Sequence, residues 1–184
     1  MRTEIKLGGF GGQGIILGGF IVGKAASLFS DKHASMIQSY GPEARGGACS
    51  SEVVVEDQEV SYPAVVQPDV LILMSQEAYE KFKPMIKEDT YVLIDEDLVE
   101  LDEGQIGKIS AIPSLKFAEE LGRKIVANIV MLGFFTAVTK IFTKEAMMEA
   151  VLTTVPGHTK ELNEKAFEKG YEHGLGLPKG KSDE

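Results

Sequence analysis

Apolar and polar positions along this chain follow two rhythms, and the switches between them mark out its elements. Glu4-Ile5-Lys6-Leu7 alternates as a short strand. A glycine turn, Gly8-Gly9-Phe10-Gly11-Gly12-Gln13-Gly14, then opens into the dense apolar run Ile15-Ile16-Leu17-Gly18-Gly19-Phe20-Ile21-Val22, which predicts a helix over about residues 12–29 packed on a sheet. Ala34-Ser35-Met36-Ile37-Gln38-Ser39 is the second strand. Ser50-Ser51-Glu52-Val53-Val54-Val55 and Glu59-Val60-Ser61-Tyr62, separated by the polar Glu56-Asp57-Gln58, read as a β-hairpin. Val70-Leu71-Ile72-Leu73-Met74 and Thr90-Tyr91-Val92-Leu93-Ile94 are continuous apolar runs of the kind buried on both faces of a parallel sheet. A weaker strand follows at Lys108-Ile109-Ser110-Ala111-Ile112-Pro113.

Helical periods fill the rest. Ser75 can cap a helix over 76–82, Gly122 stops one over 114–121, and Thr143 caps one running to residue 151. A last helix over about 159–171 has Leu162, Ala166 and Gly170 on one stripe. Residues 128–139 form a helix apolar on most sides, which must be buried in the domain or in an interface. Gly18, Gly19 and Gly23 inside the first helix each cost about 1 kcal/mol against alanine, a cost that close approach to a sheet or a partner backbone offsets. Strands alternate with helices without repeat or linker. The expectation is one three-layer, Rossmann-like α/β domain over residues 1–174, with a mostly parallel sheet plus an antiparallel hairpin, and a flexible tail over 175–184.

Charge and composition narrow the function classes. A net charge of −9 disfavours a nucleic-acid surface. The charge-free stretch 7–23 is too rich in glycine for a membrane span or a signal-peptide core, and Glu4 spoils a positive leader, so a cytoplasmic protein is expected. Cys49 is the only cysteine, which excludes an intramolecular disulfide and the four thiolates that usually hold an iron–sulfur cluster. His33, His158 and His173 lack ligand spacing, so no metal site is expected.

Candidate chemistry gathers in two glycine-rich stretches. Gly9, Gly11 and Gly14 fit G-x-G-x-x-G between a strand and a helix, where free N–H groups at the helix start attract anions. A dinucleotide site also wants an acid at the end of the second strand, which here ends in Gln38 and Ser39. Tight packing or contact with another chain is the competing reading. The second stretch, Ser39-Tyr40-Gly41-Pro42-Glu43-Ala44-Arg45-Gly46-Gly47, is a loop near the carboxyl end of strand two, where α/β sheets bind ligands. Arg45 either presents a planar fork to a carboxylate or phosphate or pairs with Glu43 to order the loop. Asp95, at a strand end, is either catalytic or part of a solvated turn.

With Gly11-Gly12-Gln13-Gly14, the run from Gln38 to Gly47, Ala48-Cys49, Met74-Ser75-Gln76-Glu77-Ala78-Tyr79 and Asn128 in view, the chain resembles the γ subunit of 2-oxoacid:ferredoxin oxidoreductases over nearly its whole length, most closely the 2-oxoglutarate branch. The resemblance implies a multi-subunit enzyme that decarboxylates a 2-oxoacid on thiamine diphosphate with magnesium, passes electrons through iron–sulfur clusters to ferredoxin, and transfers the acyl group to coenzyme A. It implies that this chain carries none of those cofactors and joins α, β and ferredoxin-like δ subunits. Gly9, Gly11, Gly12, Gln13, Gly14, Asn128 and the loop from Ser39 through Gly47 would then face the catalytic subunits, and Arg45 would touch an anionic group. No Gly-Asp-Gly segment of the thiamine diphosphate type occurs in the chain. Alone, such a subunit is expected to be inactive and to self-associate through uncovered apolar surface. A free-standing nucleotide- or flavin-binding oxidoreductase and a cofactor-free small-ligand binding protein are the alternatives.

Overall fold

Alternation along the first strand, β1 (Arg2–Phe10), sets the layers. Ile5 and Leu7 join the main apolar core on one face, while Glu4 and Lys6 point to the other. The computed structural model describes residues 1–40 and 48–178. The remaining strands are β2 (His33–Tyr40), β3 (Ala48–Glu56), β4 (Val70–Leu73), β5 (Tyr91–Asp95) and β6 (Lys108–Ile112). They make one sheet in the order β2-β3-β1-β4-β5-β6. β1, β4, β5 and β6 pair in parallel, and β3 lies antiparallel between β1 and β2. The α/β architecture and largely parallel sheet are as expected from the pattern.

The antiparallel partner differs from expectation. β3 pairs along its length with β2, from His33 opposite Glu56 to Tyr40 opposite Cys49, and residues 59–62 form no strand. The reason lies in the side chains. β3 offers Cys49, Val53 and Val55 to the main core, where Ala34 and Met36 of β2 also pack, whereas Glu59 is exposed and Pro63 soon interrupts the chain. A second strand at 59–62 would bury less apolar surface.

Five helices cover the core face: α1 (Ile15–Phe29), α3 (Ser114–Glu120), α4 (Ala127–Thr139), α5 (Lys144–Leu152) and α6 (Lys160–Leu175). The opposite face is covered by α2 (Gln76–Phe82), which lies over β1 and β4 and whose Ala78, Tyr79 and Phe82 join an apolar cluster with Leu71, Leu73, Val92 and Ile94. Toward β1 and β3 that face is polar and internally paired: Lys6 bonds Glu52 and lies 4.5 Å from the centroid of the Phe82 ring, and Glu4 accepts from the N–H groups of Val66 and Gln67 at 2.6 and 2.7 Å. α1 starts three residues later than expected because Gly14 is its N-cap. Gly18 and Gly19 have the expected compensation, since a Cβ on Gly19 would overlap the Ser51 side chain and one on Gly18 would press on Leu7 at 3.1 Å, whereas one on Gly23 would meet nothing nearer than Val53 at 3.9 Å.

Residues 127–137 of α4 are all buried, and they are buried within the chain. Gly133 lies against the Phe167 carbonyl and Gly170 against the Val130 carbonyl, so α4 and α6 clasp backbone to backbone. Any side chain at either position would strike main chain that has no rotamer to yield. α6 continues past Tyr171 to Leu175, and Gly174 rests on Ala137 and Phe134.

Candidate functional site at the carboxyl edge of the sheet

β1, β4 and β5 end together at one edge, and the glycine turn leaves β1 there. Pairing across the sheet brings further groups alongside. Gly9 lies opposite Cys49 and Phe10 opposite Ala48, while Cys49 in turn faces Tyr40. With neighbouring strands about 4.8 Å apart, the start of the turn and Tyr40 and Ala48, the residues flanking 41–47, share this edge. Ser39 ends within β2. Gly41, Pro42, Glu43, Arg45, Gly46 and Gly47 lie outside the described residues, so the two roles considered for Arg45 rest on sequence alone.

Gln13 is the brace of the turn. Its Oε1 accepts from the Phe10 N–H at 2.7 Å, and its Nε2 donates to the Met74 carbonyl at 2.8 Å. One carboxamide thus ties the end of β1 to the residue after β4. The crevice between these two strands is where the chain's path across the sheet changes direction, the usual ligand position in open α/β sheets. Here a protein side chain spans it. Gly11 and Gly12 are left exposed at the tip, with Gly12 at φ 95°.

Gly14 is held from the other side. Asn128, in the first turn of α4, donates from Nδ2 to the Gly14 carbonyl at 3.2 Å, which also receives the Gly18 N–H at 2.8 Å. A Cβ on Gly14 would overlap the Asn128 carboxamide, and its φ of 73° is itself left-handed, so both space and backbone require glycine. Asn128 is 5% exposed, and its Oδ1 is the single buried side-chain polar atom without a partner among the described residues. No side chain caps the start of α1, so its first N–H groups remain available.

Asp95 opens a turn in which Glu96 and Asp97 are exposed, but its own side chain is buried rather than solvated. It is fully buried, and it accepts from Ser114 Oγ, from the Leu115 N–H at 2.8 Å and from the Asp97 N–H at 3.0 Å. Its carboxylate anchors the start of α3. Sequence reasoning also missed Ser51, whose hydroxyl donates to the Ile15 carbonyl at 3.0 Å and pins α1 to β3. The alternating small residues of β3 were the available signal. Among the described residues no three His, Cys, Asp or Glu side chains converge as a metal site, and no helix is long and apolar enough to cross a membrane.

The arrangement can present a rigid turn whose exposed Gly11-Gly12 tip carries no side chain. Known proteins resemble the chain in sequence and fold. A family described as pyruvate ferredoxin/flavodoxin oxidoreductase matches residues 4–173. The 2-oxoglutarate synthase subunit KorC of Methanocaldococcus jannaschii is 53% identical over 175 residues, 94% of each chain. The ketoisovalerate oxidoreductase subunit VorA of Methanothermobacter thermautotrophicus is 33% identical over 174 residues, which are 93% of this chain and 36% of that one. The gamma subunit of a keto/oxoacid ferredoxin oxidoreductase from Geobacter sulfurreducens has a solved structure that superposes with a TM-score of 0.86 at 43% identity, covering 95% of this chain and 97% of that one. The chain belongs to the pyruvate ferredoxin/flavodoxin oxidoreductase family and has the fold of a gamma subunit of its 2-oxoacid enzymes.

Proposed function

We propose that this chain is the gamma subunit of a 2-oxoglutarate:ferredoxin oxidoreductase, which oxidatively decarboxylates its substrate to an acyl-coenzyme A. Thiamine diphosphate, magnesium and the iron–sulfur clusters reside on the α, β and δ partners. This subunit presents its carboxyl sheet edge to them, with the Gly11-Gly12 tip, the end of β2 at Ser39 and Tyr40, and the stretch 41–47 beside the thiamine diphosphate and coenzyme A sites. The observation that carries the reading is the bracing of the turn from two sides, by Gln13 and Asn128, with its tip left exposed. A turn held so firmly, without reactive groups, suits contact with another surface better than chemistry of its own. The 53% identity to a 2-oxoglutarate synthase subunit supports the substrate.

The test is made on the assembled complex, purified with its partners and assayed across 2-oxoacids with coenzyme A and a dye acceptor. The isolated chain should turn over none of them. Arg45→Ala should leave assembly intact. Loss of one charged hydrogen-bonding partner is worth about 1.5–3 kcal/mol, so the specificity constant for coenzyme A or 2-oxoglutarate should fall roughly 10- to 150-fold. Arg45→Lys should restore only part of it, because an ammonium lacks the planar fork. Normal kinetic constants in intact variant complex would remove Arg45 from the site, and preference for another 2-oxoacid would overturn the substrate.

A further inference from the structure

The outward face of α1 is apolar where a surface helix ordinarily carries charge. Leu17, Phe20 and Leu28 lie along it and stay exposed, Phe20 at 52% and Leu28 at 66%. The one charged residue of the helix, Lys24, is drawn toward the end of α5, donating to the Thr153 carbonyl at 3.0 Å and to Thr154 Oγ1 at 3.2 Å. Between this stripe and β2 runs a groove of about 310 Å³ whose apolar walls are Phe20, Leu28, Ala34 and Met36, with Lys24, Ser27 and Ser35 also lining it. β2 is an edge strand, so a row of its backbone donors and acceptors faces outward beside the groove. Tyr40, also exposed, lies farther along β2 toward the carboxyl edge, beyond Gln38. A largely apolar surface next to a strand edge is a contact surface.

A relative indicates what covers it. In the ketoisovalerate oxidoreductase chain this unit makes up 36% of the length, so a larger unit is covalently attached to it in every molecule. Where the unit stands as a separate subunit, a non-covalent surface has to hold the two together. The patch is also continuous with the braced glycine turn, because α1 begins directly after Gly14. We propose that the α1–β2 groove is the docking surface for a separate subunit homologous to the remainder of that longer chain, bound through an apolar face of its own. This deepens the reading of the chain as a gamma subunit and rests on it.

The experiment co-expresses the tagged chain with that homologous subunit and compares wild type with Phe20→Glu and Leu28→Glu, singly and together. Ile125→Glu, at an exposed apolar site away from the groove, is the control. Central aromatic contacts are worth about 2 kcal/mol or more, so the dissociation constant should rise about 30-fold or more. The partner should be lost from the double variant and retained by the control, while the urea midpoint of the isolated chain stays unchanged. If the charged variants shift that midpoint, Phe20→Gln and Leu28→Gln should weaken the partner without the shift. Retention of the partner at wild-type stoichiometry by a folded double variant would overturn the proposal. So would light scattering in which the substitutions dissolve a homodimer while the partner still binds, since the groove would then hold a second copy. The two readings fail separately: a complex that needs the groove but oxidises no 2-oxoacid refutes the proposed function alone, and an active complex indifferent to the groove refutes the docking surface alone.

Discussion

Gln13→Ala removes the partners of the Phe10 N–H and the Met74 carbonyl in one step. Each net hydrogen bond is worth about 1 kcal/mol. Both groups sit in a part-buried crevice, so water can replace the lost partners only in part, and the variant should lose about 2 kcal/mol. For a chain of this size that is a fall of roughly 4–8 °C in melting temperature. Asn128→Ala makes the informative contrast. It removes one long bond, to the Gly14 carbonyl, but it also removes Oδ1, an acceptor already buried without a donor. Relief of that desolvation, about 1–3 kcal/mol, offsets the lost bond and packing, so the net cost should be no more than about 1 kcal/mol. Gln13→Glu sharpens the assignment of the two bonds. Its carboxylate can still accept from the Phe10 N–H but has no proton for the Met74 carbonyl, so it should keep one of the two bonds and lose about 1 kcal/mol. Urea titration of the isolated chain at constant m-value reads all three variants. A Gln13→Ala change within about 0.5 kcal/mol of wild type, or Asn128→Ala costing more than Gln13→Ala, would refute the bracing argument.

Gly133→Ala and Gly170→Ala should each destabilise by about 3 kcal/mol, because the new methyl meets a backbone carbonyl of the facing helix. Gly12→Ala, with nothing within 4 Å, should lose only the backbone part, about 1–2 kcal/mol; equal losses by urea titration would contradict the clasp. Asp95→Ala should lower stability by about 1–3 kcal/mol through the α3 anchor, yet leave the kinetic constants of assembled enzyme unchanged, and a selective fall in kcat would restore a catalytic role. Burial pushes the Cys49 thiol up from its usual range. The unfolded thiol then ionises first, so its contribution to stability is complete below about pH 8.5 and lost as pH rises through the folded value. Iodoacetamide at pH 8 should modify the native chain far more slowly than the urea-unfolded one, and rates within about twofold of each other would count against the burial.

The parallel core was legible because β4 and β5 are unbroken apolar runs, and the expected caps Ser75 and Thr143 do accept from the N–H groups of Ala78 and Ala146. The partner of β3 was not. Locally, residues 59–62 continue its alternation, and only the shared core with Ala34 and Met36 decides for β2. The periodicity of α4 announced a buried helix without saying by what, since a facing helix of the same chain and a partner leave the same apolar pattern. The exposed apolar surface falls instead on α1, whose glycines drew attention to its inner face. Gln13 stood out in the sequence as part of a motif, but its role depends on Met74, 61 residues away. A long-range bond to a main-chain carbonyl leaves no mark on residue types. Asp95 misled for a related reason: its partners Ser114 and Leu115 belong to the next strand–helix unit.

The clasp between α4 and α6 has a consequence for biosynthesis. α4 is apolar on most sides, and α6, which is made after it, supplies the carbonyl of Phe167 against which Gly133 closes. As the chain leaves the ribosome, the sheet and α1 can form while α4 is still uncovered on the side that α6 will occupy. That interval exposes aggregation-prone surface of the kind chaperones bind. A nascent chain with α4 outside the ribosome and Phe167 still inside should thus remain chaperone-bound and protease-sensitive although β1 to β6 have already emerged.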